Sequence, residues 1–89
     1  MVHKNITITG QVQGVFYRTS AQSQAQRLGL CGFVKNMPDG SVYVEAEGLE
    51  SKVNEFIKWC KTGSKFAEVE RVVVEVGAMQ NYIGFEVVV

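Results

Sequence analysis

The chain has 89 residues, of which 46% are hydrophobic and 20% are charged, so it has enough apolar side chains for one compact core. Nine basic residues balance nine acidic ones, which argues against a protein that binds nucleic acid by neutralising many phosphates. The apolar runs are too short to span a membrane, no secretion signal opens the chain, and two cysteines are too few for a disulfide-stapled domain. We therefore expect a single domain over residues 1–89, a monomer located in the cytoplasm, with a small-molecule partner and neither a nucleic-acid nor a membrane partner.

The first elements that the sequence predicts are a strand and a helix. Polar and apolar side chains alternate over residues 4–10, which is typical of a half-buried strand. Apolar residues then recur at helical spacing from Tyr17 to Leu28, and Gly29 stands where helices commonly end. A glycine-containing segment therefore connects the first strand to the first helix.

The rest of the chain predicts a hairpin, a second helix and two more strands. Residues 33–36 and 41–47 flank the turn Met37-Pro38-Asp39-Gly40, in which proline presets φ and glycine takes the position that needs a positive φ. Hydrophobic residues at i, i+3, i+4 and i+7 predict a helix over residues 50–62. Two further strands are predicted over residues 69–76 and 82–89.

The order of these elements is β-α-β-β-α-β with an extra C-terminal strand. This order predicts an α+β fold of the ferredoxin-like type, an antiparallel sheet with two helices on one face. Because all connections are short, a functional site has to be formed by loops between elements. The first strand and the strand at residues 33–36 are expected to end at the same edge of the sheet, so the loops that follow them should lie close together.

The segment from Gly10 to Val15, with Arg18 soon after it, suits an anion. Glycines let backbone N–H groups converge, a helix start adds unpaired donors, and an arginine fork binds two phosphate oxygens. Residues 1–44 carry four basic side chains and one acidic side chain, whereas residues 45–89 carry five and eight, so the positive charge lies in the first half. The alternative is an ordinary strand-to-helix turn with a surface arginine.

Asn36 is the second candidate, because it stands directly before the hairpin turn. If the two loops meet, its amide is able to hold a water molecule. The alternative is that Asn36 caps the backbone of its own turn, as asparagine often does.

Other chemistries have little support in the sequence. The only histidine, His3, lies near an N-terminus that we expect to be frayed, which argues against a phosphohistidine or a histidine-activated nucleophile. No cluster of metal ligands is apparent, so we expect no metal and no other cofactor. Neither Cys31 nor Cys60 begins a Cys-x5-Arg motif, and we expect no disulfide between them.

Two segments resemble the signatures of the acylphosphatase family. GQVQGVFYR, from Gly10 to Arg18, resembles the first signature, and GFVKNMPDG, from Gly32 to Gly40, resembles the second. The length, the element order and the segment Gly84-Phe85-Glu86-Val87 also fit, so the resemblance extends over essentially the whole chain. It implies hydrolysis of the carboxyl-phosphate mixed anhydride of an acyl phosphate to a carboxylate and inorganic phosphate, without a metal or a covalent phosphoenzyme.

The resemblance also implies roles for individual residues. Arg18 would bind the phosphoryl group, and Asn36 would orient the attacking water. Five loop residues would add their backbone amides to the phosphate site: Gln13, Gly14, Val15, Phe16 and Tyr17. Because an acyl phosphate has a good leaving group, positioning the water and stabilising charge on the phosphoryl oxygens would suffice for catalysis. Inorganic phosphate would be both a product and an inhibitor. The alternatives are a small-ligand regulatory module, an RNA-binding domain of similar topology, and an acylphosphatase-like domain of a larger carbamoyl-phosphate enzyme.

Overall fold

A computed structural model describes the whole chain from Met1 to Val89. The predicted strands and helices are all present, in the predicted order, and the ferredoxin-like α+β fold is confirmed. In chain order the elements are β1 (Val2–Gln11), α1 (Tyr17–Arg27), β2 (Cys31–Asn36), β3 (Val42–Gly48), α2 (Glu50–Thr62), β4 (Glu68–Gly77) and β5 (Phe85–Val88). The last strand starts three residues later than its sequence pattern predicts.

The five strands form one sheet in the order β4-β1-β3-β2-β5. The pairs β1–β3, β1–β4 and β2–β3 are antiparallel, as predicted, but β2–β5 is parallel, so the prediction of an antiparallel sheet is corrected at this edge. The reason is topological: β4 and β5 occupy opposite edges, and residues 78–84 cross from one edge to the other instead of forming a hairpin. The candidate site lies at one end of this sheet, where β1 and β2 finish.

Both helices pack on one face of the sheet. Sixteen buried hydrophobic residues form one cluster between the layers. Its members include Ile6, Ile8, Val34 and Val44 from the strands, and Tyr17, Ala21, Val53, Phe56 and Cys60 from the helices. Full burial of a side chain such as valine, isoleucine or phenylalanine stabilises the fold by about 1.5–3 kcal/mol. The packed core therefore fixes the strands and helices to which the two loops after β1 and β2 are attached. Neither helix is long and apolar enough to cross a membrane.

An irregularity interrupts the pairing of β1 with β4 close to the end of β1. The register between β1 and β4 shifts between Thr9 and Gly10, and a Cβ on Gly10 would overlap the carbonyl oxygen of Glu68. Gly10 has a φ of 125°, so glycine is required here for space and for backbone conformation. Since Gly10 and Gln11 pair with β4, the interpretation of Gly10 as part of the loop is corrected: the connection to α1 comprises residues 12–16.

The opposite end of the sheet contains His3, and the expectation of a frayed N-terminus there is wrong. His3 is 3% exposed, and its Nδ1 lies 2.7 Å from Oε2 of Glu47. The strand that carries it, β1, is flanked by β3 and β4, so even its first residues are inside the sheet. His3 nonetheless lies far from the loops after β1 and β2, because it begins the strand that those loops follow.

Candidate active site

A cavity of about 240 Å³ opens at the end of the sheet where β1 and β2 finish. Its lining residues are Val12, Gly14, Phe16, Tyr17, Arg18, Thr19, Asn36 and Val87. The fold thus brings Arg18 and Asn36 together, although 17 residues separate them along the chain. Of the five loop residues predicted to offer amides, Gly14, Phe16 and Tyr17 line the cavity, whereas Gln13 and Val15 do not.

The connection from β1 to α1 passes twice through the left-handed region. Gly14 has a φ of 74°, and Phe16, the N-cap residue of α1, has a φ of 63°. Left-handed residues within such a connection turn successive N–H groups toward one side, which is a common way to make an anion-binding concavity. No side chain caps the start of α1, so the first N–H groups of this helix have no partner from a capping residue. The local backbone therefore suits a phosphoryl group.

Arg18 is half-buried in the first turn of α1, and its guanidinium contacts the end of β5. Its Nη1 donates a hydrogen bond to the carbonyl oxygen of Val88 at 3.1 Å. A guanidinium has five N–H donors, and no carboxylate pairs with this one, so most of its donors and its full charge stay available to an anion in the cavity. The carbonyl of Val88 thus orients the arginine without neutralising it.

Asn36 ends β2 with an unsatisfied polar atom. Its Oδ1 is buried and accepts no hydrogen bond. Leaving a buried acceptor unpaired costs about 1–3 kcal/mol, so this atom is suited to accept a hydrogen bond from a water molecule or a ligand. The turn is capped by Asp39 instead, whose Oδ1 accepts hydrogen bonds from the N–H of Ser41 at 2.9 Å and from its hydroxyl at 2.6 Å. These hydrogen bonds lower the pKa of Asp39.

Two side chains to which the sequence analysis assigned no role, those of Gln13 and Ser64, connect the phosphate loop to its surroundings. Nε2 of Gln13 donates to the carbonyl oxygens of Met37, at 2.8 Å, and Ser41, at 2.9 Å, which fastens the loop to the hairpin turn after Asn36. The hydroxyl of Ser64 donates to the carbonyl oxygen of Val15 at 2.7 Å. No local pattern marks such contacts, because their partners lie 24 to 49 residues away. The sequence also missed two lining residues, Thr19 and Val87, whereas Val12 lies within the predicted segment from Gly10 to Val15.

The ionisable groups in and beneath the cavity do not include a general base. The hydroxyl of Tyr17 points into the core and donates to the carbonyl oxygen of Cys60 at 2.8 Å, and its burial strongly raises the pKa of Tyr17. Burial also raises the pKa of the Cys60 thiol to about 12, so that thiol is not a nucleophile near neutral pH. The lining therefore combines one cation, one neutral amide and backbone, a set suited to binding and positioning.

The family model for acylphosphatase matches residues 4–87. The chain belongs to the acylphosphatase family. It is 43% identical to an acylphosphatase of a Nocardioides species over 83 residues, which cover 93% of this chain and 84% of the relative. The crystal structure of acylphosphatase from Bacillus subtilis is 34% identical and has a TM-score of 0.97, with 100% of both chains covered. Membership of the acylphosphatase family makes the chain an enzyme, a hydrolase, rather than a regulatory module or an RNA-binding domain.

The same fold also occurs inside a larger protein. A crystal structure of full-length HypF in a phosphate- and nucleotide-bound form matches 98% of this chain with a TM-score of 0.88 and 28% identity. That match covers only 12% of the HypF chain. Among these acylphosphatase relatives, the Bacillus subtilis and Nocardioides proteins match this chain over most of their own length.

Proposed function

We propose that this acylphosphatase hydrolyses small acyl phosphates in the cavity between the loops after β1 and β2, without a metal or another cofactor. The observation that carries the proposal is that Arg18 and the unpaired Oδ1 of Asn36 line the same cavity. The lining offers no carboxylate, imidazole or thiolate to hold a metal ion, which supports a mechanism based on hydrogen bonds and charge. The products are a carboxylate and inorganic phosphate, which also inhibits as a competitor.

Arg18 binds the phosphoryl group in this mechanism. Its guanidinium is oriented by Val88, and its free donors, together with the backbone amides of residues 13–17, bind the phosphoryl oxygens. As the bond from phosphorus to the acyl oxygen lengthens, charge spreads over these oxygens and the donors stabilise it. The amides need no reorganisation, because Gln13 and Ser64 already hold the loop.

Asn36 orients the water. Its Oδ1 accepts a hydrogen bond from a water molecule, so that a lone pair of the water oxygen faces phosphorus in line with the leaving carboxylate. A bond forms between the water oxygen and phosphorus, the bond from phosphorus to the acyl oxygen breaks, and the carboxylate takes the electron pair. The water proton passes to a phosphoryl oxygen of the substrate, which agrees with a cavity that contains no general base. All groups come from this one chain, and we propose that residues 1–89 act as one domain and as a monomer.

The experiment follows the ultraviolet decay of benzoyl phosphate with purified enzyme, with and without a chelator and inorganic phosphate. We expect decay that is insensitive to the chelator and inhibited by phosphate. No decay above the spontaneous rate from folded protein would refute the proposed activity and leave a phosphate-binding domain. Decay that the chelator abolishes would refute the metal-free mechanism.

Variants separate the two roles. Arg18→Ala should lower kcat/KM by roughly 10²–10³ and weaken inhibition by phosphate, and Arg18→Lys should not restore either, because an ammonium does not replace a bidentate fork. Asn36→Ala should lower kcat by about 10² with phosphate inhibition retained. Arg27→Ala and Asn54→Ala, which change exposed helix residues, are the matched controls. Equal phosphate affinity in wild type and Arg18→Ala, or unchanged turnover in Asn36→Ala, would contradict the assigned role.

A further inference from the structure

Phe16 is a large apolar residue that the fold leaves in solvent. Its side chain is 72% exposed, it contacts no other aromatic ring, and it is not part of the core. Its φ of 63° places a bulky residue in the left-handed region, which glycine or asparagine adopts with less strain. Packing and backbone geometry therefore both give no reason for a phenylalanine at this position. Strain of this kind in an exposed residue is often found where a residue meets a ligand.

The exposed ring lies at the cavity in which the phosphoryl group is proposed to bind. The other apolar residues of the lining are Val12 and Tyr17, both 1% exposed, and the partly buried Val87. These three residues form walls of the cavity, whereas the Phe16 side chain extends into solvent. The Phe16 ring is therefore the large apolar surface of the lining that is accessible to a substrate group protruding from the cavity.

The proposed reaction dictates which substrate group protrudes. In-line displacement places the attacking water and the leaving carboxylate on opposite sides of phosphorus. Asn36 is proposed to hold the water, so the acyl group leaves on the side of phosphorus away from Asn36, and Phe16 is the exposed large apolar residue of the cavity lining that it is able to contact. Arg18 and the loop are proposed to bind the phosphoryl group, whereas Phe16 is the large apolar residue of the lining whose side chain is exposed.

We infer that the Phe16 side chain is a specificity-determining residue that packs against the acyl group and favours acyl phosphates with an aromatic or extended apolar acyl group over acetyl phosphate. This inference rests on the proposed function, and it concerns the side chain of Phe16, whereas the phosphate site uses its backbone amide. An aromatic ring gains from burial and from ring-to-ring contact, and one such contact is expected to change selectivity by about ten-fold.

The test measures kcat/KM for benzoyl phosphate and for acetyl phosphate, both by release of inorganic phosphate. The ratio of the two values defines selectivity, and comparing this ratio between variants removes the intrinsic reactivity of each substrate. Phe16→Asn removes the ring but suits the left-handed backbone, and it should lower the ratio about ten-fold, mainly through KM for benzoyl phosphate. Phe16→Trp should retain the ratio. Phe66→Asn, at a phenylalanine that is 64% exposed outside the cavity lining, is the control and should leave the ratio unchanged.

The outcomes distinguish this inference from the proposed function. If wild type hydrolyses neither substrate, the proposed function fails. If wild type hydrolyses both and Phe16→Asn lowers the two kcat/KM values by the same factor, the residue acts only through its backbone and the inference is overturned. A ratio that falls equally in Phe16→Asn and Phe66→Asn would also overturn it.

Discussion

The carboxylate of Glu47 joins three segments at the end of the sheet opposite to the active site, and its replacement by an amide should weaken the whole fold. Glu47 is 3% exposed. Its Oε2 accepts hydrogen bonds from Nδ1 of His3 at 2.7 Å and from the N–H of Gln80 at 2.9 Å, and its Oε1 accepts one from the N–H of Tyr82 at 2.6 Å. Both carboxylate oxygens therefore accept hydrogen bonds from N–H donors. In Glu47→Gln an NH₂ group replaces one of these oxygens, and this group faces at least one N–H donor from which it cannot accept a hydrogen bond.

The expected loss follows from these contacts. A hydrogen bond to a charged group contributes about 1.5–3 kcal/mol, and removing one member of a buried ion pair costs about 3–5 kcal/mol. We therefore expect Glu47→Gln to lower the free energy of unfolding by about 3–5 kcal/mol. Urea unfolding at pH 6, followed by the fluorescence of the partly buried Trp59, measures this difference.

The control is Glu55→Gln, which makes the same chemical change on the exposed face of α2 and should stay within about 0.5 kcal/mol of wild type. If Glu47→Gln lost less than about 1 kcal/mol, the buried carboxylate would contribute no more than a surface group, and the reasoning would be refuted. An unchanged m value in both variants is required for the comparison, because a changed m value signals a different unfolded or native state.

The same cluster predicts how stability depends on pH. Burial lowers the pKa of His3, but hydrogen bonds to Glu47 and Asn5 and the charges of Glu45 and Glu47 outweigh it, so its pKa lies above the usual 6.5. Burial raises the pKa of Glu47, but hydrogen bonds from His3 and two backbone N–H groups outweigh it, so its pKa lies below the usual 4.5.

The histidine contribution is fully present below pH 6.5 and is lost as the pH rises through the raised pKa. The carboxylate contribution is present above pH 4.5 and is lost as the pH falls through the lowered pKa. Urea unfolding across this range should show the largest contribution of the His3–Glu47 pair between these two values. The alkaline loss should disappear in His3→Asn, and an identical pH profile in that variant would contradict the assignment.

Two further predictions concern the sheet and its helices. Tyr17→Phe removes the hydroxyl that donates to the carbonyl oxygen of Cys60, and it should lower the free energy of unfolding by about 1–2 kcal/mol in urea unfolding; no loss would show that this hydrogen bond is not stabilising. In Gly32→Ala the new Cβ would overlap the carbonyl oxygen of Glu45, so the free energy of unfolding should fall by about 3 kcal/mol or more. Gly84 has open space around it, so Gly84→Ala should lower the same quantity by only about 1 kcal/mol in urea unfolding. Equal losses in the two alanine variants would contradict the steric argument.

Local patterns in the sequence were sufficient to predict the elements of this fold. The hydrophobic spacing over residues 50–62 predicted α2 with its observed bounds, because the residues that face the core recur every three or four positions. The turn from Met37 to Gly40 and the alternation in β1 likewise depend on neighbours in the chain. The two signature segments indicated the acylphosphatase family and named Arg18 and Asn36, whose catalytic roles stay predictions.

Tertiary structure decided what depends on residues far apart in the chain. His3 looked like part of a frayed terminus, but the strands on both sides of β1 bury it against Glu47, 44 positions away. The sequence left open whether Asn36 caps its turn, and the structure gives that role to Asp39 and leaves Oδ1 of Asn36 unpaired. The parallel pairing of β5 depends on a crossing from one sheet edge to the other. Composition and periodicity report only which face of an element is buried, whereas these features depend on which elements become neighbours after the chain has folded.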